Sequence, residues 1–175
     1  MKRARVRAAM DRRSVWLVVF AAVTAHAPAL WGQFMWLDHA HIEQGLALAP
    51  AGEWSSLFVH GFAGTGFYRP LMSASLSLDA SLGGAPWLYH ATSLAFHAAA
   101  AVLTLLAART LGLAQRAATL AALLFAVHPA TSLVANAIAF RSEAMITVAL
   151  LALVVLHRRG HILGAALALL LGALS

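Results

Sequence analysis

From Trp87 to Ala108 the chain runs through 22 residues, WLYHATSLAFHAAAAVLTLLAA, without a formal charge. A hydrocarbon core of about 30 Å is crossed by roughly 20 apolar helical residues. Only a helix or a closed barrel satisfies its own backbone there. Comparable runs occupy residues 14–31 (SVWLVVFAAVTAHAPALW), 117–140 and 142–156, and another begins at residue 162. Charged residues make up 10% of the chain and its mean hydropathy is +0.80, against about a quarter charged in soluble domains. The expected fold class is an all-α membrane protein, a multi-span helical bundle with a long first extracytoplasmic loop carrying short interfacial helices.

The spans order the rest of the chain. Residues 1–13 form a basic cytoplasmic N-terminus, 14–31 the first span, 32–86 a loop, 87–108 the second span and 109–116 a short turn. The third span, 117–140, contains His128 and Pro129 and is expected to kink or break there, because proline has no N–H and clashes with the preceding turn. A fourth span covers 142–156, a turn 157–161, and a fifth apolar run 162–175. Within the loop, EWSSLFVHGF and RPLMSASLSLDASL are expected to lie as short helices on the membrane surface. The first span, with its basic start and small Ala27 and Ala29, also fits the grammar of a cleavable secretory signal.

Charge placement sets orientation. Of twelve Lys and Arg residues, six lie in the first thirteen positions, and Arg109, Arg116, Arg158 and Arg159 fall in the turns on that same side. The positive-inside rule then puts the N-terminus in the cytoplasm, with Arg69 and Arg141 as the two outer cations. The basic excess is not a face interleaved with aromatics, which argues against nucleic acid as a partner. With no cysteine, no disulfide framework or thiolate metal site is available.

Two blocks carry a resemblance. The first holds Tyr68, Arg69, Pro70, Leu71, Asp79, Pro86, Tyr89, His90, Thr92 and His97; the second holds His128 and Pro129, then eleven residues, then Arg141, Ser142 and Glu143. Across residues 34 to about 156 the chain resembles polytopic membrane glycosyltransferases of the C-type (GT-C) superfamily. The likeness is to the bacterial protein O-mannosyltransferase-like group that pairs the membrane domain with tetratricopeptide repeats. The chain departs from that pattern at Leu37, where the family has the first of two acids, at Ser93 in its Thr-Asn pair, and at Leu133 in place of a glutamate.

The resemblance implies transfer of a sugar from a polyprenyl-phosphate donor to a hydroxyl of an acceptor protein or glycan. The reaction would occur at the extracytoplasmic face of a bacterial inner (plasma) membrane, so the active site is expected to be periplasmic. Such chemistry needs a carboxylate to take the acceptor proton, and Asp38, seven residues past the first span, is the candidate; it would alternatively cap a helix starting near His39. A leaving phosphate needs a guanidinium. Arg69 and Arg141 are the candidates, each with a competing ion pair: Arg69 with Asp79 or Glu53, and Arg141 with Glu143. Tyr68, His90, His97, His128 and Glu143 complete the expected substrate-binding set. His90 and His97 share a helical face, and both readings of these intramembrane histidines, substrate contact or interhelical bonding, stay open. No cofactor is assigned from the sequence. Some related enzymes hold a divalent cation beside their acid pair, an expectation that Leu37 weakens, and no metal ligand is assigned.

Three other classes compete. A haem-binding subunit would use His97 and His128 as axial ligands, and a transporter would line its site with the helix broken at His128 and Pro129. The third is an inactive partial protein: five apolar segments are fewer than the family's membrane domain contains. The chain is accordingly expected to be an N-terminal fragment, inactive unless the remaining spans are supplied.

Overall fold

The computed structural model describes residues 11–50 and 53–175. Lys2, Arg3, Arg5 and Arg7 of the basic N-terminus lie outside the described residues. Seven α-helices carry the fold: α1 Arg12–His26, α2 Pro70–Ser81, α3 Pro86–Thr110, α4 Gln115–Val127, α5 Ser132–Asn136, α6 Arg141–Arg158 and α7 Ile162–Ala173; no strand occurs among the described residues. It is an all-α membrane bundle. Three stretches are long and apolar enough to cross a bilayer, Arg12–Trp31, Pro86–Thr110 and Ile138–Arg158, and the bent pair α4 and α5 makes a fourth.

Local sequence explains the limits of the elements. Asp11 caps α1 by accepting from the Arg13 N–H at 3.1 Å, and the Ser14 hydroxyl donates to its other oxygen at 2.7 Å. That hydrogen bond holds the carboxyl below the ordinary aspartate value. Proline opens α2 and α3 at Pro70 and Pro86, where its missing N–H leaves no bond unmade. Gly112, at φ +101°, closes α3 in the left-handed region that a Cβ would strain. At 1.5 Å per residue the 25 residues of α3 reach about 37 Å, enough to span.

α3 is the hub, packing against α1, α4, α5 and α6. The α1, α3 and α4 interface is made of small side chains: Ala22, Ala101, Ala108, Ala118, Ala122 and Ala126 surround Val18 and Leu105. Small residues let helix backbones approach closely, the dispersion-driven packing available where lipid removes any hydrophobic incentive. Leu120, Leu124, Leu163 and Leu167 point outward instead.

Helix α4 stops at Val127. His128 before Pro129 takes an extended conformation (φ −67°, ψ 134°), as the pre-proline position favours, and the axis bends by 52° into α5. Broken helices in a bilayer need new partners for their freed carbonyls. The Ala126 carbonyl receives the Nε2 groups of His97 at 3.0 Å and His26 at 3.2 Å, while the Thr131 hydroxyl donates to the Phe125 carbonyl at 3.2 Å.

The loop from residue 32 to 85 folds over one end of the bundle. It contains a single π-turn at His39–Glu43, short 3-10 turns at Trp54–Phe58 and Phe62–Gly64, and α2. The RPLMSASLSLDASL segment forms a helix as expected, one side of which packs into the protein while Leu78 and Leu82 stay exposed. α2 buries Pro70, Met72, Ser73, Leu76, Ser77 and Asp79, because Met72 and Leu76 pack with Phe62, Tyr89, Ile42 and Ile138 into a second apolar core. Arg109, Arg116, Arg158 and Arg159 sit at the helix ends on the side away from this loop.

Candidate functional site

Asp38, Arg69, His90 and Arg141 all come to the loop-covered end, but they do different things there. Arg141 opens α6 and is fully buried. Its Nη1 lies 2.7 Å from Asp79 Oδ2 of α2, and also donates to the Ser75 hydroxyl at 2.8 Å. Nη2 donates to the Tyr89 carbonyl at 2.8 Å and Nε to the Ser93 hydroxyl at 3.2 Å, both on α3. The Thr92 hydroxyl donates to the other Asp79 oxygen at 2.8 Å. Every nitrogen of the guanidinium is therefore used, and the group ties α2, α3 and α6 together. This replaces the expected Arg141 pairing with Glu143, whose carboxylate accepts from the Ser142 hydroxyl at 2.7 Å instead. Ser75 and Ser93 were not foreseen as partners. The signal was available in part: Ser75 and Asp79 are four apart and share one face of α2.

Arg69 is the contrasting case. Neither Asp79 nor Glu53 pairs with it, and among the described residues no carboxylate lies within ion-pair distance. Its guanidinium carbon stands 4.9 Å from the Phe67 ring and 5.7 Å from the Phe62 ring, cation–π contacts worth about 0.5–1 kcal/mol each when partly exposed. A half-buried cation held by aromatic faces keeps its N–H groups for an anion. Tyr68, beside it, is exposed and donates to the Phe58 carbonyl at 3.1 Å.

Asp38 is fully buried. It does not cap the turn that begins at His39. Instead Oδ2 accepts from the Met35 N–H at 3.2 Å and Oδ1 from the Ala139 N–H at 2.8 Å, which latches the loop to the segment leading into α6. Burial holds its carboxyl above the ordinary aspartate value, against the pull of those two N–H donors and of His90 and His41 nearby. The latch is backed by Trp36, which takes a left-handed φ of +50° and stacks on Phe140 at 5.8 Å. A bulky residue is rarely held there without cause. His41 packs edge-on to Phe62 at 4.9 Å. Burial lowers its imidazole below the ordinary histidine value; Asp38 opposes that and Arg69 adds to it.

The remaining histidines divide. His90 is 2% exposed and neither ring nitrogen has a partner. His97 is spent on the Ala126 carbonyl and stacks on Phe125 at 5.5 Å. His128 is exposed, and its Nδ1 accepts from the Ala130 N–H at 3.1 Å. His97 and His128 thus each bond a different backbone group through one ring nitrogen. Among the described residues no group of three or more His, Asp or Glu side chains is arranged to hold a metal ion. Asp38, with Leu37 rather than a second acid beside it, belongs to no such group.

No known family profile matches the chain, and no solved structure matches it. Among curated proteins it is similar to the protein O-mannosyl-transferase TMTC3 of Mus musculus, with 31% identity over 149 residues that cover 80% of this chain. That relative is a membrane glycosyltransferase by kind. The chain spans 16% of the relative's length. The likeness supports the broad kind read from the sequence.

Proposed function

We propose that the chain belongs to a membrane glycosyltransferase that moves a sugar from a polyprenyl-phosphate donor to an acceptor hydroxyl on the extracytoplasmic face. The observation that carries this reading is the 31% identity to the mouse O-mannosyl-transferase across 80% of the chain. The geometry adds a division of labour. Arg141 is committed to Asp79 inside the protein, whereas Arg69 has π faces and no acid, so Arg69 is the group for the donor phosphate. In the transfer the acceptor oxygen bonds to the anomeric carbon as the bond from that carbon to the phosphate oxygen breaks. Polyprenyl phosphate leaves and the acceptor proton passes to a base.

Asp38 suits the base role in its chemistry, since a carboxyl raised above its ordinary value is better matched to neutral operation. Each of its oxygens keeps one lone pair beyond its backbone N–H. The acceptor reaches it when the turn from Met35 to Asp38 opens, and the left-handed Trp36 is the place where that turn stores strain. The positive-inside count supports a cytoplasmic N-terminus, which in a bacterial inner membrane opens the site to the periplasm.

The test is transfer of radiolabelled sugar from polyprenyl phosphate in vesicles carrying the protein at its full natural length. Asp38→Asn should reduce transfer at least a hundredfold with unchanged membrane insertion, and Asp38→Glu should recover part of it. Wild-type turnover by the Asn variant would remove Asp38 from the reaction. Absence of transfer by the wild type with any polyprenyl-phosphate sugar would remove the function.

A further inference from the structure

The 3-10 turn that ends the first span, the start of α3 and the end of α5 enclose an open cleft of about 370 Å³ lined by Ala29, Gly32, Gln33, Phe34, Met35, His90 and Asn136. Nothing in the fold uses its polar groups fully. His90 is 2% exposed with both ring nitrogens unpartnered, and buried polar atoms in native proteins are nearly always bonded. Gly32 leaves the imidazole uncovered: a Cβ there would stand 3.1 Å from His90 Nε2 and 2.9 Å from the Ala29 carbonyl oxygen. The Gln33 side chain is exposed and has no partner among the described residues. Asn136 turns one end of its amide to His26 Nδ1 at 3.0 Å, which leaves the other end for the cleft.

The lining is therefore an imidazole and two amides with one aromatic face, and it contains no Lys, Arg, Asp or Glu. Imidazole and amide groups both donate and accept, which matches a ligand whose hydroxyls do the same. Of the charges close by, the Arg141 guanidinium is committed to Asp79, Ser75, Ser93 and the Tyr89 carbonyl, and Asp38, which acts on His90, would repel an anion. The lining itself offers a phosphate no cation: Arg69 lies against Phe62 and Phe67, which are not among the lining residues.

We infer that this cleft is a sugar-ring subsite, selective for a neutral hexose over a uronic acid, with His90 bonding two ring hydroxyls and Phe34 lying against the apolar face of the ring. The inference rests on the glycosyltransferase reading but names a site that binds in its absence.

The test is saturation-transfer NMR on the chain in lipid nanodiscs, using methyl hexosides, the corresponding methyl uronides and n-octanol as probes. A methyl hexoside should bind in the millimolar range and its uronide at least tenfold more weakly. His90→Phe and Gly32→Ala should each weaken hexoside binding at least tenfold. Gln33→Leu, a change at an exposed side chain that leaves the packing alone, should weaken it about fivefold and keeps the test decisive where the other variants fold poorly. Hexoside binding unchanged in Gln33→Leu and in whichever of the other two folds, equal binding of hexoside and uronide, or no hexoside binding at all would each overturn the inference. So would octanol binding alone, which would make the cleft a lipid site. Hexoside binding that depends on His90, without sugar transfer by the full-length protein, would leave the subsite standing and remove the glycosyltransferase reading. Transfer that proceeds normally in His90→Phe would do the reverse.

Discussion

Removing either partner of the Arg141 and Asp79 pair should be among the most damaging single changes in the chain, and removing both should be far milder than the sum. The two charges lie 2.7 Å apart, at side-chain exposures of 0% and 4%, where an effective dielectric constant of about 20 gives an attraction of about 6 kcal/mol. That attraction offsets the desolvation of two ions, so the pair as a whole contributes little. Asp79→Asn withdraws the attraction and leaves the guanidinium desolvated, a loss of about 3–5 kcal/mol. Arg141→Met strands the Asp79 carboxylate and also frees the Tyr89 carbonyl and the Ser75 and Ser93 hydroxyls, with a loss of similar size. In the double variant no buried charge remains and Thr92 still has an oxygen to donate to, so the second change should add about 1–2 kcal/mol to the first. The coupling energy is then about 1–4 kcal/mol. Equilibrium unfolding in mixed micelles, followed by the fluorescence of the five tryptophans, reads all four corners of the cycle. Single variants that each lose under about 1 kcal/mol and add within about 0.5 kcal/mol, as independent sites do, would refute the picture of Arg141 as an internal strut.

Arg69→Gln should lower the unfolding free energy by only about 1–2 kcal/mol, since it removes two cation–π contacts, yet it should raise the KM for a polyprenyl-phosphate donor at least tenfold; an unchanged KM in the transfer assay would move the phosphate elsewhere. His97→Ala should destabilise by about 2–3 kcal/mol, through a lost bond to the Ala126 carbonyl and a cavity against Phe125, and amide exchange at the end of α4 should quicken. A variant with unaltered exchange would mean that the break holds without the histidine. For pH, His41 has a folded pKa below its unfolded value of 6.5, so the folded state binds fewer protons. Stability should be complete above pH 6.5 and fall as the pH drops below it toward the folded value. Asp38 has the opposite sign: its raised folded pKa makes stability fall as the pH climbs from about 3.8 to the folded value. His41→Phe should flatten the loss just below pH 6.5, and superimposable pH curves for variant and wild type would dismiss the assignment.

What could be read from the sequence was whatever depends on neighbours along the chain. The uncharged run from Trp87 to Ala108 demanded a helix wherever it went, because a bilayer offers its backbone no other partner, and α3 runs from Pro86 to Thr110. Pro129 broke its helix for a reason written in its own ring. The burial of α2 was not legible in the same way: its apolar residues alternate with serines, so the pattern fits a membrane surface as well as a protein interior. The residues that bury one side of it, Phe62, Tyr89 and Ile138, come from three separate stretches. Ion pairing failed for the same reason. Arg141 finds Ser75 across 66 residues and Ser93 across 48, and sequence proximity favoured Glu143, which faces elsewhere.

The two arginines at the loop-covered end show why that distinction matters for function. A cation beside the membrane spans is retained when something local stabilises it. For Arg141 the stabilising group is internal, since Asp79, Ser75, Ser93 and the Tyr89 carbonyl account for the whole guanidinium. A ligand phosphate could not take the place of Asp79 without stranding a buried carboxylate. For Arg69 the protein supplies two phenyl rings and no anion. Aromatic faces orient a guanidinium without neutralising it, so its hydrogen-bonding edge stays charged. The same contrast separates the histidines: His97 and His128 are consumed by backbone groups at the helix break, and His90 is left with two empty nitrogens. The groups without internal employment, Arg69 and His90, are the ones on which binding chemistry can be built, one for charge and one for hydroxyls.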